Sequence, residues 1–184
     1  MPNFIWENLF RDGKGEKSIQ QKLKENFLFQ DLSIPQLRLL EKIVNIRSYR
    51  SGENIFQQGD IGVGMYFISK GEVNIYVQDL IPETGEYKQA LVTQLKEGDF
   101  FGDLALVEEN GRRSATAVAN RDVILIGFFK SDLMEVASRN PTAGVKILLR
   151  LGEVLGQRLK ETTSKITELR SRSPDPRHLG KPKT

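Results

Sequence analysis

The 184-residue chain contains no cysteine and only one histidine, His178. The lack of cysteine excludes disulfides, thiolate metal sites and cysteine nucleophiles. A single histidine cannot form a histidine-ligand cluster, and it argues against a Ser-His-Asp triad. Because the sequence pairs no nucleophile with a base, we expect a protein that is not an enzyme and that holds neither a metal nor another cofactor.

Long apolar runs are also missing. The longest, Val123 to Phe129, is far shorter than the roughly 18 residues of a membrane span. The N-terminus lacks the basic region followed by an apolar stretch that is typical of a signal peptide. We therefore expect no membrane span and a cytoplasmic location.

The net charge is only +3, and the C-terminal tail accounts for it. Residues 171–184 carry four basic side chains, Arg172, Arg177, Lys181 and Lys183, against Asp175. The tail is rich in proline and has no apolar periodicity, which predicts disorder. It also lacks interleaved aromatic residues and a dense basic block, so we expect no direct DNA binding.

With 39% hydrophobic residues, the chain is long enough to bury the core of one domain with appendages. Residues 1–50 have a helical pattern in which Ile19, Leu23 and Phe27 recur every fourth position. A second short helix is predicted after a capping Ser33, with Pro35 in its first turn. We interpret residues 1–50 as an N-terminal helical segment.

Residues 51–130 are dominated by short β-rich runs, including "MYFIS", "EVNIYVQ" and "VILIGFF". Turn residues such as Gly59-Asp60, Gly98-Asp99 and Asn110-Gly111 separate these runs. The pattern predicts a mainly β fold with flanking helices, built as a sandwich, barrel or jelly roll.

Residues 131–170 return to a helical pattern. Ser131 is the predicted cap of a first helix that stops before Pro141, and a long second helix follows. Five positions of the long helix follow the 4, 3, 4, 3 spacing of a heptad seam: Leu155, Leu159, Thr162, Ile166 and Leu169. The seam indicates either pairing with a second copy of the chain or packing of the helix on its own domain.

The stretch "FFGDLALVEENGRRSATAVA", residues 101–120, carries the candidate binding site. Gly102 lets the backbone approach a ligand, and residues 103–106 can form one helical turn whose first N–H groups favour an anion. Arg113 can add a guanidinium and Ser114 a hydroxyl, so the predicted ligand group is a phosphate. Phosphate would repel Asp103, whose carboxylate is better placed to accept a ribose hydroxyl.

Each of these side chains also has an interpretation without a ligand. Arg113 could pair with Glu108 or Glu109 on a hairpin surface. Asp103 could be an N-terminal helix residue and nothing more.

The same stretch resembles the phosphate-binding cassette of cyclic nucleotide-binding domains, whose pattern is Phe/Ile-Gly-Glu-Leu-Ala-Leu followed by Arg-Ala/Ser/Thr-Ala. The similarity extends upstream through "YRSGENIFQQGDIGVGMYFISKGEVNIY". It implies a β-roll, or jelly roll (double-stranded β-helix), of about eight strands, with N-terminal helices and a long C-terminal helix.

The resemblance also implies roles for individual residues. Arg113 matches the arginine that binds the exocyclic phosphate oxygens, and Ser114 matches its neighbouring donor. The cassette turn and its flanks correspond to Phe101, Gly102, Leu104, Ala105 and Ala115. Asp103 departs from the family's glutamate, which binds the ribose 2′-OH, and it is shorter by one methylene, roughly 1.5 Å.

The long helix is similar to the one that meets the base in the catabolite activator branch of the family. That similarity makes Thr162 and Thr163 the candidate base contacts, with Thr162 on the seam that a partner subunit would share. Cyclic AMP is the expected ligand, and cyclic GMP is the alternative.

We therefore expect a stand-alone cyclic nucleotide sensor that acts as a homodimer on an unknown protein effector. A helix-turn-helix domain follows the long helix in the catabolite activator branch, whereas barely 14 residues follow it here. A ligand-free scaffold that acts as a protein-protein adaptor is the second hypothesis. The regulatory subunit of a kinase or phosphodiesterase is a third, with weaker support.

Overall fold

The computed structural model describes residues 17–81 and 84–172, which form four α-helices, eight strands and one 3₁₀ turn. The helices are α1 (Ile19–Glu25), α2 (Ile34–Glu41), α3 (Lys130–Arg139) and α4 (Pro141–Arg172). The strands are β1 (Asn45–Tyr49), β2 (Asn54–Phe56), β3 (Gly64–Lys70), β4 (Glu72–Leu80), β5 (Tyr87–Lys96), β6 (Phe100–Phe101), β7 (Thr116–Ala119) and β8 (Val123–Phe129). The 3₁₀ turn spans Asp103–Leu106.

The strands form two antiparallel four-stranded sheets. One has the order β1-β8-β3-β6 and the other the order β2-β7-β4-β5. The two sheets with flanking helices and a long C-terminal helix are the predicted mainly β architecture, which is confirmed as a β-roll.

Strand β3 is buried on both faces, which explains its unbroken apolar sequence. Tyr66 and Ile68 point into the core between the two sheets. Met65 and Phe67 point the other way, into a second core that the helices cover. The alternation of side chains along a strand thus divides one apolar run between two cores.

The second core attaches the helices to the roll. It contains apolar residues of α1, α2, α3 and α4, of which Leu23, Leu40, Val136 and Ile147 are almost fully buried. The aromatic ring of Phe29 lies 5.0 Å from that of Phe67 and 5.5 Å from that of Phe128. The N-terminal and C-terminal helices therefore share one core on the outer face of a sheet.

The predicted cap at Ser33 is present, and the amide oxygen of Gln36 accepts a hydrogen bond from the Ser33 N–H. The predicted cap at Ser131 is wrong, because the N-cap is Phe129, two residues earlier, and α3 begins at Lys130. There the carboxylate of Asp132, the third residue of the helix, accepts the Phe129 N–H at 2.9 Å, which is the part that Glu or Gln plays in a capping box.

The first sheet begins earlier than the sequence predicted. Strand β1 lies inside the segment interpreted as helical, and it pairs along its whole length with β8. Its residues are exposed or half-buried, and none is fully buried, so the helical pattern that ends at Val44 masks a short edge strand. Of the tail predicted to be disordered, residues 173–184 lie outside the described part, whereas residues 171 and 172 continue α4.

Helix α4 has two different halves. Ala143, Ile147 and Leu151 are buried in the core, while residues 157–171 are exposed. Arg150 fixes the first half through a 2.7 Å ion pair with Asp31. In the range 17–81 and 84–172, no helix has the length and apolar character to cross a membrane.

Candidate functional site

The cassette turn follows a short strand and begins at a glycine for a conformational reason. Gly102 has a φ of 77°, in the left-handed region that other residues rarely adopt. The 3₁₀ turn Asp103–Leu106 follows it directly, as the sequence predicted. Ala105 and Leu106 anchor this turn in the interior, and Leu104 stays partly exposed at its edge.

The turn forms one wall of a cavity of about 250 Å³. The remaining walls come from β2, β4, β5, the segment 111–115 and α4. Eight of the ten predicted site residues line the cavity: Phe101, Gly102, Asp103, Leu104, Ala105, Arg113, Ser114 and Ala115. Other parts of the lining are apolar, with Phe56, Ile75, Leu95 and Phe100, or polar, with Thr93, Glu108, Arg112 and Arg158, and Gly62 and Gly111 also contribute.

Arg113 is buried, with only 7% of its surface exposed. Its Nη1 and Nη2 donate to the backbone carbonyls of Gly102, at 3.2 Å, and of Gly64, at 2.7 Å. Its Nε is buried and has no hydrogen-bond partner. The predicted alternative of a surface ion pair with a glutamate therefore does not describe this side chain.

Burial lowers the pKa of the Arg113 guanidinium from its usual value, because the charged form loses its hydration.

Two glycines leave room for the guanidinium of Arg113. An added Cβ at Gly62 would lie 2.8 Å from the Ala105 side chain and 3.4 Å from the Arg113 Nε, and one at Gly102 would lie 2.5 Å from the Arg113 Nη1. Gly62 is required by this close packing and not by a positive φ.

Asp103 is the second charged group at the cavity, and only 1% of its surface is exposed. Its Oδ1 accepts a hydrogen bond from Nη1 of Arg158 on α4 at 2.5 Å. Its Oδ2 is buried without a hydrogen-bond partner. Arg158 is half exposed and lies over the ring of Phe100, 5.4 Å from its centroid.

Thr162 and Thr163, the predicted base contacts, do not line this cavity. Both side chains are exposed, and their hydroxyls donate to the backbone carbonyls of Arg158 and Leu159 one turn earlier in α4. This portion of the helix extends beyond the roll, so the two threonines stay apart from the cassette.

Two of the lining side chains that the sequence did not predict contact the charged groups of the cavity. Arg158 lies on the long helix one turn before Thr162, and that spacing could have indicated it. Phe56 lies at the end of β2, and the Cζ of Arg113 is 4.1 Å from the centroid of its ring. No local pattern distinguishes Phe56 from an ordinary core residue of a strand. In the described part of the chain, no cluster of three acidic, histidine or cysteine side chains could hold a metal.

Residues 46–140 match the family model of the cyclic nucleotide-binding domain. A cyclic AMP receptor protein from Thermus thermophilus is 32% identical over 139 residues, which are 76% of this chain and 60% of that protein. A cAMP-dependent protein kinase regulatory subunit from Candida albicans is 37% identical over 109 residues, which are 59% of this chain and 21% of that protein.

Among solved structures, the catabolite activator protein of Thermus thermophilus matches with a TM-score of 0.68 and 28% identity. The match covers 78% of this chain and 63% of that one. The chain thus spans about three fifths of the length of these bacterial relatives. The matched region of the family model contains both sheets, the cassette turn and Arg113, and the chain belongs to the cyclic nucleotide-binding domain family.

Proposed function

We propose that the chain is a sensor of cyclic AMP that binds the nucleotide in the cavity beside Arg113. The observation that carries this proposal is the pair of orphaned polar atoms at the cavity, the Nε of Arg113 and the Oδ2 of Asp103. Buried polar groups are nearly always paired in folded proteins. A ligand that offers an anionic acceptor and a hydroxyl donor would satisfy both atoms.

The charge of Arg113 supports an anionic ligand. A buried cation is costly unless an opposite charge compensates it, and the hydrogen-bond acceptors found for Arg113 are two uncharged carbonyls. A cyclic phosphate would supply a negative charge within hydrogen-bond reach, in addition to the longer-range effect of Asp60. Charge-assisted hydrogen bonds of a guanidinium to phosphate are among the stronger ones in proteins.

The orphaned oxygen of Asp103 supports a sugar hydroxyl next to that phosphate. An ionised carboxylate only accepts hydrogen bonds, and Arg158 uses one of the two oxygens. The 2′-OH of a ribose would donate to the other. In this arrangement the ion pair with α4 persists while the ligand is bound, because Asp103 contacts Arg158 through Oδ1 and the ribose through Oδ2.

The apolar part of the cavity suits a purine base. Ile75, Leu95 and Phe100 offer apolar side chains, and Thr93 and Ser114 add hydroxyls to the same lining. We favour adenine because the proteins similar to this chain include a cyclic AMP receptor protein and a cAMP-dependent protein kinase regulatory subunit. Cyclic GMP remains the comparison ligand for the experiment.

Helix α4 is the element that would transmit binding. It packs on the core as far as Leu155, in the cluster that includes Leu106 of the cassette turn, and farther along the ion pair of Arg158 with Asp103 links it to the cassette. A ligand that contacts Asp103 changes the energy of this ion pair. Binding would then shift the population between two positions of the second half of α4, which a protein effector could detect.

We also propose that α4 pairs with α4 of a second copy. The helix exposes a stripe of apolar residues at near-heptad spacing: Val145, Leu148, Leu149, Leu159, Ile166 and Leu169. Gly152 and Gly156 lie within this stripe, and a Cβ added at either would meet no atom within 4 Å. Glycine in a helix interior costs about 1 kcal/mol relative to alanine. Within the described part of the single chain, nothing requires glycine at these two positions. A second helix that packs closely against α4 would require it, because a larger side chain would keep the helices apart.

Isothermal titration calorimetry with cyclic AMP, cyclic GMP and adenosine tests the proposed function. We expect cyclic AMP to bind most tightly and adenosine, which lacks the phosphate, to bind at least about 100-fold more weakly, since each charged hydrogen bond is worth roughly 1.5–3 kcal/mol. Arg113→Ala should abolish the difference between cyclic AMP and adenosine. Arg121→Ala, which alters an exposed arginine outside the cavity, is the matched control. Failure of the unaltered protein to bind any of the three would favour the ligand-free scaffold.

A further inference from the structure

The guanidinium of Arg113 lies over an aromatic ring, and that ring is itself fixed. The Cζ of Arg113 is 4.1 Å from the centroid of the Phe56 ring. Tyr66 stacks on Phe56 with 6.3 Å between centroids and 27° between planes, and Phe101 lies 5.7 Å away. Both supporting side chains are buried in the core between the sheets. Phe56 thus has little freedom to move away from the guanidinium.

We propose that Phe56 is a positioning residue for the phosphate-binding guanidinium of Arg113. This inference rests on the proposed function, because it assigns to Phe56 the task of holding Arg113 ready for the phosphate. Phe56 itself need not touch the phosphate.

The guanidinium of Arg113 is a buried cation, and the loss of its hydration outweighs the favourable charge of nearby Asp60. Arg113 is buried and, in the described part of the chain, its hydrogen-bond acceptors are the carbonyls of Gly64 and Gly102. The negative face of an aromatic ring attracts a cation, and more strongly where water is excluded. The ring of Phe56 therefore stabilises the charged form of Arg113 at the cavity before any anion arrives.

The Phe56 ring also affects the orientation of the Arg113 guanidinium. A ring with its centroid 4.1 Å from Cζ limits how far the guanidinium can tilt, and the hydrogen bonds to the two carbonyls limit its rotation. This orientation uses Nη1 and Nη2 and leaves Nε without an acceptor. Preorganisation of this kind raises affinity because less side-chain freedom is lost on binding.

Substitution of Phe56 by Leu keeps an apolar side chain but removes the ring, whereas Phe56→Tyr keeps the ring. We expect Phe56→Leu to weaken cyclic AMP binding about 3- to 30-fold, the range that corresponds to a cation–π contact. Phe56→Tyr should retain most of the affinity. Thermal unfolding of each variant shows whether the fold is kept, and the comparison of Leu with Tyr separates loss of the ring from loss of packing.

A double-mutant cycle shows whether Phe56 acts through Arg113. In an Arg113→Met background no cation lies over the ring, so Phe56→Leu should change the remaining affinity for cyclic AMP less than 2-fold. An equal loss in both backgrounds would mean that Phe56 acts on the ligand directly, and it would overturn the positioning role.

Nuclear magnetic resonance of the ligand-free protein gives a readout that does not depend on nucleotide. The Arg113 Nε–H signal, assigned by its disappearance in Arg113→Lys, should be shifted upfield by the Phe56 ring and return downfield in Phe56→Leu. A signal that does not move would overturn the inference.

The binding experiments separate the two proposals. If the unaltered protein binds cyclic AMP and Phe56→Leu binds it equally well, the inference fails and the proposed function stands. If the unaltered protein binds no cyclic nucleotide, the proposed function fails, and the positioning role fails with it.

Discussion

Asp103 and Arg158 join the cassette turn to the last helix, with Oδ1 and Nη1 2.5 Å apart. The carboxylate is almost fully buried, whereas the guanidinium is half exposed. Asp103 thus lies between the cavity and α4, and any ligand that hydrogen-bonds its free oxygen also affects the contact that holds the helix.

A longer side chain at position 103 tests whether the short reach of the Asp103 carboxylate limits the affinity for cyclic AMP. Asp103→Glu extends the carboxylate by roughly 1.5 Å, which would bring it closer to a ribose hydroxyl in the cavity. We expect cyclic AMP binding to tighten by at most about 10- to 100-fold, the value of one improved charged hydrogen bond. Calorimetry measures the change, and Asp99→Glu, in a turn outside the cavity lining, is the control. An unchanged or weaker affinity would indicate that the site is built for aspartate.

The ion pair can be tested by removing its exposed partner. Arg158→Ala should free the second half of α4 from the cassette, so hydrogen exchange of the amides near residues 152–160 should become faster. Lys160→Ala changes a neighbouring exposed cation of the same helix and should leave that exchange unchanged. Equal exchange in Arg158→Ala and the unaltered protein would show that the ion pair does not hold the helix.

Asp132 at the start of α3 should make stability depend on pH. Burial raises the pKa of its carboxyl, against the opposing effect of the hydrogen bond from the Phe129 N–H. A raised folded-state pKa gives stability that is complete below the unfolded pKa of about 3.9 and is lost as the pH rises through the folded-state pKa.

Replacement of Asp132 by asparagine removes this titration while it keeps an oxygen for the Phe129 N–H. The melting temperature of Asp132→Asn relative to the unaltered protein should therefore increase between pH 4 and pH 7. A difference that stays constant, or falls, over this range would contradict the assigned direction.

The proposed pairing of α4 can be tested by placing a charge in the apolar stripe. Leu159→Glu should convert a dimer into a monomer in sedimentation equilibrium, because a desolvated carboxylate at the helix contact is costly. Ser164→Glu adds the same charge at an exposed position on the opposite side of the heptad. A monomeric unaltered protein would refute the pairing at once.

The central glycines provide a second test of the same helix. In a helix that pairs closely, Gly152→Ala should weaken dimerisation. In an isolated helix it should raise stability by up to about 1 kcal/mol, since alanine is the better helix former. Gly144 behaves differently, because an added Cβ there would lie 2.8 Å from Ala137 of the same chain, and Gly144→Ala should destabilise either form.

Much of the cassette could be predicted because its elements are close in sequence. Gly102, the turn that follows it and Arg113 lie within 13 residues, and the turn chemistry of such a segment depends on local backbone preferences. The strands could be recognised for a similar reason, although β1 was hidden behind an apparent helical pattern. The predicted base contacts, Thr162 and Thr163, depended on the position of a distant helix, and the structure keeps them apart from the cavity.

The sequence by itself indicated a mainly β fold with flanking helices, because apolar periodicity and turn residues encode local structure. The resemblance of residues 101–120 to a known cassette indicated the family, the β-roll and the charged residues of the site. Only the tertiary structure decided which side chains Arg113 and Asp103 meet. Phe56 is near Arg113 because β2 and the cassette pack on the same interior, and Arg158, 55 residues from Asp103, reaches it because the shared core positions α4 against the roll. Contacts between distant segments depend on how whole elements pack, and no local pattern specifies that packing.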